Sequence, residues 1–475
     1  MGGLDSRTAD SLDASGAGSP PAGTRGKFQA TSRGRGAQRS FVSRRCWRPR
    51  LATNLNGPVT EHHGASGERK RMALLAGIVQ RYGCVLVRSL FLQRRYPPTH
   101  RRNLLFCLAF LTMYPLVEVF HAGCLLLDGV LLAFRRRPAL AEPVFLIGNP
   151  RSGTTIAHRV LALDTERFFC FKTWQILFPS LWQKYALTVL GWCDRCLGRP
   201  GERLIRWRES RLFDEFNRLH QVGLFLPEED DKLMVHILAA TDLAVFFPYG
   251  GFECWARLDE QVPRAQQDAV FRFYRRCVLR QACFAGADRA LLSKNPFFSG
   301  KVDALQRHFP DARFVYLVRN PLDVVGSTIS MARAMIRLSL GIEPAADLDE
   351  TVYDLVKYFY RYPLARLRQL PPERWTIIRY DDLIREPKAA FVHLYRHFGW
   401  TMSPQFETRL DQQAAEMRQH KSRHSYSLDT TSITPERIVA ELREVFEEFS
   451  FDTRGHERGA KTIVQPSPET ASSTA

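Results

Sequence analysis

A strand-length apolar run that ends in glycine, turns and opens a helix constrains this chain more than any other feature. The run is Pro143-Val-Phe-Leu-Ile-Gly148, the turn is Asn149-Pro150-Arg151-Ser152-Gly153, and Thr154-Thr155 start a helical stretch that reaches Leu163. Backbone N–H groups line such a turn, and the helix N-terminus adds partial positive charge, so the segment suits a phosphate-like anion. Gly148 and Gly153 enclose four residues, the spacing of a Walker A loop. The lysine of that loop, which reaches the β- and γ-phosphates, is replaced here by Thr154, which argues against Mg²⁺-dependent hydrolysis of ATP or GTP. The cation sits inside the turn instead, as Arg151. Its guanidinium fork matches two oxygens of an anion and can neutralise a bridging oxygen as a group departs, without a metal. Taken alone, such an octet is often no more than a turn.

Its surroundings add weight. Further apolar runs of strand length occur at Ala290–Leu292, Arg313–Val318 and Trp375–Ile378, separated by helical patterns. The economical fold is α/β, a P-loop-like parallel sheet flanked by helices. The stretch from about 170 to 285 is largely helical by pattern, and no internal repeat is present. After Arg313–Val318 comes Arg319-Asn-Pro-Leu-Asp-Val-Val-Gly-Ser327. An arginine at a strand C-terminus points into the crevice where α/β proteins bind ligands, and Ser327, about two turns into the next helix, can reach the same anion. The pair suits a second, separate phosphate. The plain alternative is a capped loop with a surface arginine, since Pro321 and Asp323 fit any helix start.

Upstream, an apolar region runs from Leu104 to Phe134 between Arg101-Arg102 and Arg135-Arg136-Arg137. Glu118, His121 and Asp128 interrupt it, Pro115 is expected to kink it, and the basic flanks give no positive-inside bias. These features predict a helix pair in the membrane interface or a re-entrant hairpin, against a helix pair buried on the catalytic domain or a second subunit, with a true span behind both. Residues 1–71 carry 13 Lys/Arg against 5 Asp/Glu and read as a disordered basic extension. A transit peptide, a myristoylation signal at Gly2 and a true start at Met72 all fit it. The expected organisation is then a helical membrane-associated segment at 72–140, a catalytic domain at 141–452 and a disordered tail at 453–475. The formal net charge of +18 suits a polyanionic ligand or an anionic membrane surface. Nucleic acid is not expected, because no zinc-finger spacing, aromatic RNP-like strand or basic zipper occurs. Cys193-x-x-Cys196 lacks a second ligand pair, so no metal site is expected. None of the seven asparagines starts a glycosylation sequon.

Together the two motifs resemble those of the superfamily of sulfotransferases that use 3′-phosphoadenosine 5′-phosphosulfate (PAPS). Gly148–Thr155 is similar to the family's 5′-phosphosulfate loop, and Arg319–Ser327 to its 3′-phosphate motif. The likeness covers roughly 141–450, and the broad bacterial and algal-type branch with Pro-Arg-Ser-Gly-Thr-Thr is the nearest in pattern. The resemblance implies that Arg151, Ser152, Gly153, Thr154 and Thr155 hold the 5′-phosphosulfate, and that Arg319 and Ser327 hold the 3′-phosphate. Tyr380 matches a nucleotide-contacting tyrosine, and Lys421 and Tyr426 fall in a segment that closes over the 3′-phosphate or adenine. The cytosolic branch places a histidine soon after a lysine just before the 3′-phosphate strand; here Ser293-Lys294-Asn295 keeps the lysine and lacks the histidine. Lys294 is then expected on the sulfuryl oxygens. Other branches use a glutamate, and Pro227-Glu228-Glu229-Asp230-Asp231 resembles their acidic segment, so Glu229, with Glu228 second, is expected to be the base. The alternative is a solvated acidic helix start. His220 and His236 lie nearby, as isolated histidines. The implied reaction is sulfuryl transfer from PAPS to a hydroxyl or amine, with no metal. The acceptor is an unidentified alcohol, lipid or carbohydrate, and the setting a membrane surface on the cytoplasmic face, with Golgi or another organelle and a homo-oligomer left open. A P-loop kinase or NTPase, and a non-catalytic nucleotide-binding relative at a membrane, are the competing readings.

Overall fold

The apolar runs read from the sequence become the strands of one parallel sheet. The computed structural model describes residues 63–92, 101–133, 140–212, 223–247, 250–286, 288–341, 343–419, 428 and 431–453. The expectations for residues 1–62, for the tail from 454 onward, and for His220, Lys421 and Tyr426 lie outside the described residues. The strands are β1 (Ala141–Gly148), β2 (Phe168–Phe169), β3 (Ala290–Lys294), β4 (Arg313–Val318) and β5 (Trp375–Arg379), in the order β2-β3-β1-β4-β5. Every pairing is parallel. The register sets Leu146 beside Lys294, Gly148 beside Leu317 and Val318 beside Arg379, so the strand C-termini share one edge. β1 lies at the centre with its later neighbours on either side, and the loop that follows it opens at the point where strand order reverses, the usual ligand crevice of an open α/β sheet. The two-residue edge strand β2 has no sequence signature of its own.

Alternate strand residues feed two core layers. Phe145, Ile147, Phe314 and Tyr316 pack with the helices Arg264–Ala285 and Leu348–Leu367. Val144, Leu146, Val315 and Leu317 pack with α3 (Thr154–Leu161) and the helices Pro387–His397 and Pro404–Gln419. Both faces are covered, as the continuous apolar runs require.

Upstream of the sheet, α1 (His63–Leu92) begins before Met72, and α2 spans Arg101–Ala133. The expected helix pair or hairpin across 104–134 is instead one continuous helix with Pro115 inside it. Proline has no N–H, so the carbonyl of Leu111, four residues back, loses its helical donor. The Tyr82 hydroxyl of α1 donates to that carbonyl at 2.7 Å and supplies the missing bond. Tyr82→Phe should therefore cost about 1 kcal/mol in chemical denaturation; unchanged stability would remove this account of the helix's continuity.

The residues that break the apolar run of α2 are the ones that dock it. Asp128, fully buried, accepts from the Ser180 hydroxyl (2.8 Å), the backbone N–H groups of Leu181 and Trp182 (3.1 and 3.2 Å) and Arg280 Nε (2.6 Å). It thus neutralises an arginine and joins the cap of α5 (Leu181–Cys196), where Ser180 and Gln183 form a capping box. His121 Nδ1 pairs with Gln183 at 2.8 Å, and Glu118 with His236 at 2.8 Å. The other side of the helix is bare and apolar: Leu116, Val119, Phe120 and Leu126 are 60–73% exposed. The expected docking on the catalytic domain and the expected apolar surface are both present, on opposite faces of one helix.

Candidate active site

The turn after β1 is built on two glycines and one strained arginine. Gly148 has φ 146°, and a Cβ there would lie 2.3 Å from the Leu317 carbonyl oxygen, so only glycine lets β1 end this close to β4. Gly153 has φ 91°, and a Cβ would lie 2.8 Å from the Tyr380 ring. Between them Arg151 takes φ 67°, a left-handed conformation that costs a side-chain-bearing residue about 1–2 kcal/mol. Ser152, fully buried, pins the turn by donating its hydroxyl (2.6 Å) and its N–H (3.3 Å) to the Asn149 carbonyl. The Ser299 hydroxyl brackets Gly148, accepting from its N–H at 2.9 Å and donating to its carbonyl at 3.0 Å.

The two motifs, 168 residues apart at Arg151 and Arg319, are stitched together. Arg151 Nε donates to the Ser327 hydroxyl at 3.0 Å, and an Arg319 nitrogen donates to the Arg151 carbonyl at 3.2 Å. The Arg319 guanidinium lies over the Tyr380 ring at 4.2 Å, contacts Asp323 at 3.1 Å, and its own carbonyl accepts from Tyr360 at 2.7 Å. Arg319 is therefore aimed from both its backbone and its side chain. Tyr380 starts the helix after β5 and backs both Gly153 and Arg319.

The acidic run is sorted by partner. Glu228 is buried and accepts from Lys232 Nζ (2.8 Å) and the Glu229 N–H (3.0 Å). Asp230 accepts from the Tyr274 and Ser293 hydroxyls (2.6 and 2.7 Å); burial pushes its carboxyl up to about 6 against the pull of those two donors. Asp231 accepts from the Asn295 amide and lies 3.6 Å from Lys301 Nζ. Glu229 meets Lys294 Nζ at 2.6 Å, and the same ammonium reaches Thr155 Oγ1 at 3.4 Å. A solvated acidic helix start does not describe this segment, since Glu228, Asp230 and Asp231 are all at most 4% exposed. Three of the acids fix the segment, and Glu229 is presented to the loop. Burial, and after it the Lys294 ammonium, pull the His158 imidazole down to about 3, so this histidine behind the loop is neutral near pH 7.

The structure thus brings Arg151, Thr155, Lys294, Arg319, Ser327 and Glu229 to one edge of the sheet. Ser152 and Thr154 are buried, and Ser152 is the one whose hydroxyl bonds the turn. Sequence reading missed Ser299, Tyr360 and the Asp230 clamp. Ser299 carried a faint signal, five residues after Lys294 in the turn that Asn295 caps, while Tyr360 and Tyr274 lie in ordinary amphipathic helices.

The profile of the sulfotransferase family matches residues 143–404, which span every element of this edge, and the chain belongs to that family. It is an enzyme that transfers a sulfuryl group, and membership implies PAPS as co-substrate. The chain is 26% identical over 338 residues to omega-hydroxy-beta-dihydromenaquinone-9 sulfotransferase Stf3 of Mycobacterium bovis, a match covering 68% of this chain and 79% of that protein. Over 107 residues it is 32% identical to carbohydrate sulfotransferase 5 of Mus musculus, covering 20% of this chain and 27% of that one. The fold is shared with the sulfotransferase STF9 from Mycobacterium avium, with TM-score 0.52 and 20% identity over 66% of this chain and 78% of that one. A nucleoside-triphosphate-hydrolysing P-loop enzyme is not favoured.

Proposed function

We propose that Glu229 is the base for sulfuryl transfer from PAPS to the hydroxyl of a membrane-borne acceptor. The observation that carries the reading is the Glu229–Lys294–Thr155 contact, which sets a carboxylate and an ammonium beside the turn at Gly148–Thr155. Glu229 takes the acceptor proton. The acceptor oxygen bonds to sulfur, and the bond from sulfur to the 5′-phosphate oxygen breaks with its electron pair on adenosine 3′,5′-bisphosphate. Lys294 and Arg151 neutralise the sulfuryl and bridging oxygens. Ser152, Gly153, Thr154 and Thr155 hold the 5′-phosphosulfate, while Arg319 and Ser327 hold the 3′-phosphate with Tyr380 behind the guanidinium. Because Arg151 already bonds Ser327, it belongs to both halves of the site. The resemblance adds Lys421 and Tyr426 to the nucleotide contacts, at positions outside the described residues. No step in this scheme calls for a metal.

The acceptor reading rests on α2. Its stretch Cys107–Leu132 is long and apolar enough to cross a bilayer. From Tyr114 to Asp128, about 21 Å of helix, its inner face is bonded to the catalytic domain. A helix docked along that length lies in the membrane interface, with the domain beside it, on the cytoplasmic face in this reading. The relative Stf3 is named for an omega-hydroxy menaquinone-type acceptor, which fits a lipid alcohol here too.

Calorimetric titration tests the nucleotide half. Adenosine 3′,5′-bisphosphate should bind without metal and ATP·Mg should not; Arg319→Ala should weaken the bisphosphate by roughly ten- to a hundredfold, the loss of charge-assisted hydrogen bonds. Tight ATP·Mg binding with none for the bisphosphate would overturn the assignment.

A further inference from the structure

Beyond α2, a second element carries bare apolar side chains. α5 starts at its cap on Asp128, none of its side chains beyond Lys184 is buried, and after Leu197-Gly198-Arg199 the chain continues as α6 (Pro200–Leu212). The turn is rigid: Gly198 and Arg199 both have positive φ, and the Asp194 carboxylate accepts from the N–H groups of Gly201 (2.7 Å) and Glu202 (3.0 Å), capping α6. A hairpin built this firmly exposes Val189, Leu190, Trp192, Leu197, Leu204 and Trp207, each 48–77% exposed. Soluble surfaces scatter such residues singly and do not collect them on one projection.

The charges of the hairpin are equally one-sided. Its acids are spent internally: Asp194 on the cap, Glu202 on Arg206 (2.8 Å) and Arg199 (3.7 Å), and Glu209 on the Leu224 N–H (2.5 Å). Among the described residues no carboxylate pairs with Arg195, Arg208 or Arg211, all exposed. Arg208 and Arg211 flank the Trp207 ring at 5.8 and 4.8 Å, tying cation to aromatic at one level. Tryptophan with arginine at one depth, and aliphatic side chains beside them, is the make-up of a headgroup-level contact. A second copy of the chain fits less well, because a two-fold contact would set the same arginines against one another.

We propose that the α5–α6 hairpin is a membrane-docking element, its apolar side chains entering one leaflet and Arg195, Arg208 and Arg211 binding anionic phospholipid headgroups. It deepens the reading of an enzyme that works at a leaflet, and adds a lipid preference that α2 alone does not give.

Vesicle flotation of the full chain tests it, with phosphatidylcholine alone and with added phosphatidylglycerol at one salt concentration. The wild type should favour the phosphatidylglycerol vesicles, and that preference should fall as salt rises. Arg195→Gln/Arg208→Gln/Arg211→Gln should weaken binding to them on the order of a hundredfold while leaving phosphatidylcholine binding unchanged. Leu190→Ser/Trp192→Ser should weaken binding to both. Each variant should bind adenosine 3′,5′-bisphosphate as the wild type does, showing that it is folded. Equal binding of the arginine variant and the wild type to phosphatidylglycerol vesicles overturns the proposal. So does a dimer that Leu190→Ser/Trp192→Ser dissociates with vesicle binding intact, which would make the face an interface between copies. Vesicle binding as expected, with no bisphosphate binding by the wild type, would sink the nucleotide assignment and leave the hairpin standing.

Discussion

Glu229→Gln is expected to lower kcat on the order of a hundred- to ten-thousandfold, with affinity for adenosine 3′,5′-bisphosphate unchanged. The amide keeps an oxygen to accept from Lys294, so the 2.6 Å contact and the segment's position survive while the proton acceptor is lost. Glu228→Gln separates base from scaffold. Its carboxylate holds Lys232 and the Glu229 N–H, so that change should act through stability and leave kcat within a few-fold of wild type. Product formation from labelled PAPS with a lipid extract, together with the bisphosphate titration, reads both. Wild-type turnover by Glu229→Gln would remove it as the base.

The largest loss of stability is expected from Asp128→Ala. Arg280 would lose its only carboxylate among the described residues, and two backbone N–H groups at the start of α5 would lose their side-chain acceptor at once. Breaking a buried pair on one side costs about 3–5 kcal/mol, a large part of the 5–15 kcal/mol that holds a typical domain. Asp128→Asn should recover part of this, since one amide oxygen still accepts at the cap. Chemical denaturation followed by intrinsic fluorescence reads the difference. A change within ~0.5 kcal/mol would mean that α2 is not seated on the domain as described.

Both outcomes turn on contacts that differ in how far the sequence reveals them. Strand β1, its turn and the Arg319–Ser327 segment were legible because each is local: an apolar run covered on both faces, glycines where φ is positive, a cation about two turns from a hydroxyl. The continuity of α2 was not, because the group that compensates Pro115 is a tyrosine hydroxyl on another helix. Nor were the separate tasks of Asp230 and Asp231, whose partners Tyr274, Ser293, Asn295 and Lys301 lie far along the chain and look unremarkable there. The acids of α2 looked like faults in a membrane helix for the same reason, since Arg280 is 152 residues from Asp128.

Read by position, those acids have a rhythm. Cys107, Tyr114, His121 and Asp128 fall seven apart, with Leu111, Glu118 and Leu125 between them, and this seam is the side turned inward. It is a heptad stripe with its polarity inverted, growing more polar toward its C-terminal end while the outer positions stay greasy. One residue inserted between His121 and Asp128 would swing the carboxylate by about 100° toward lipid. The outer positions tolerate any apolar side chain, but the spacing of the seam does not tolerate a change in length. In this helix the register carries the information and the hydrophobicity is interchangeable.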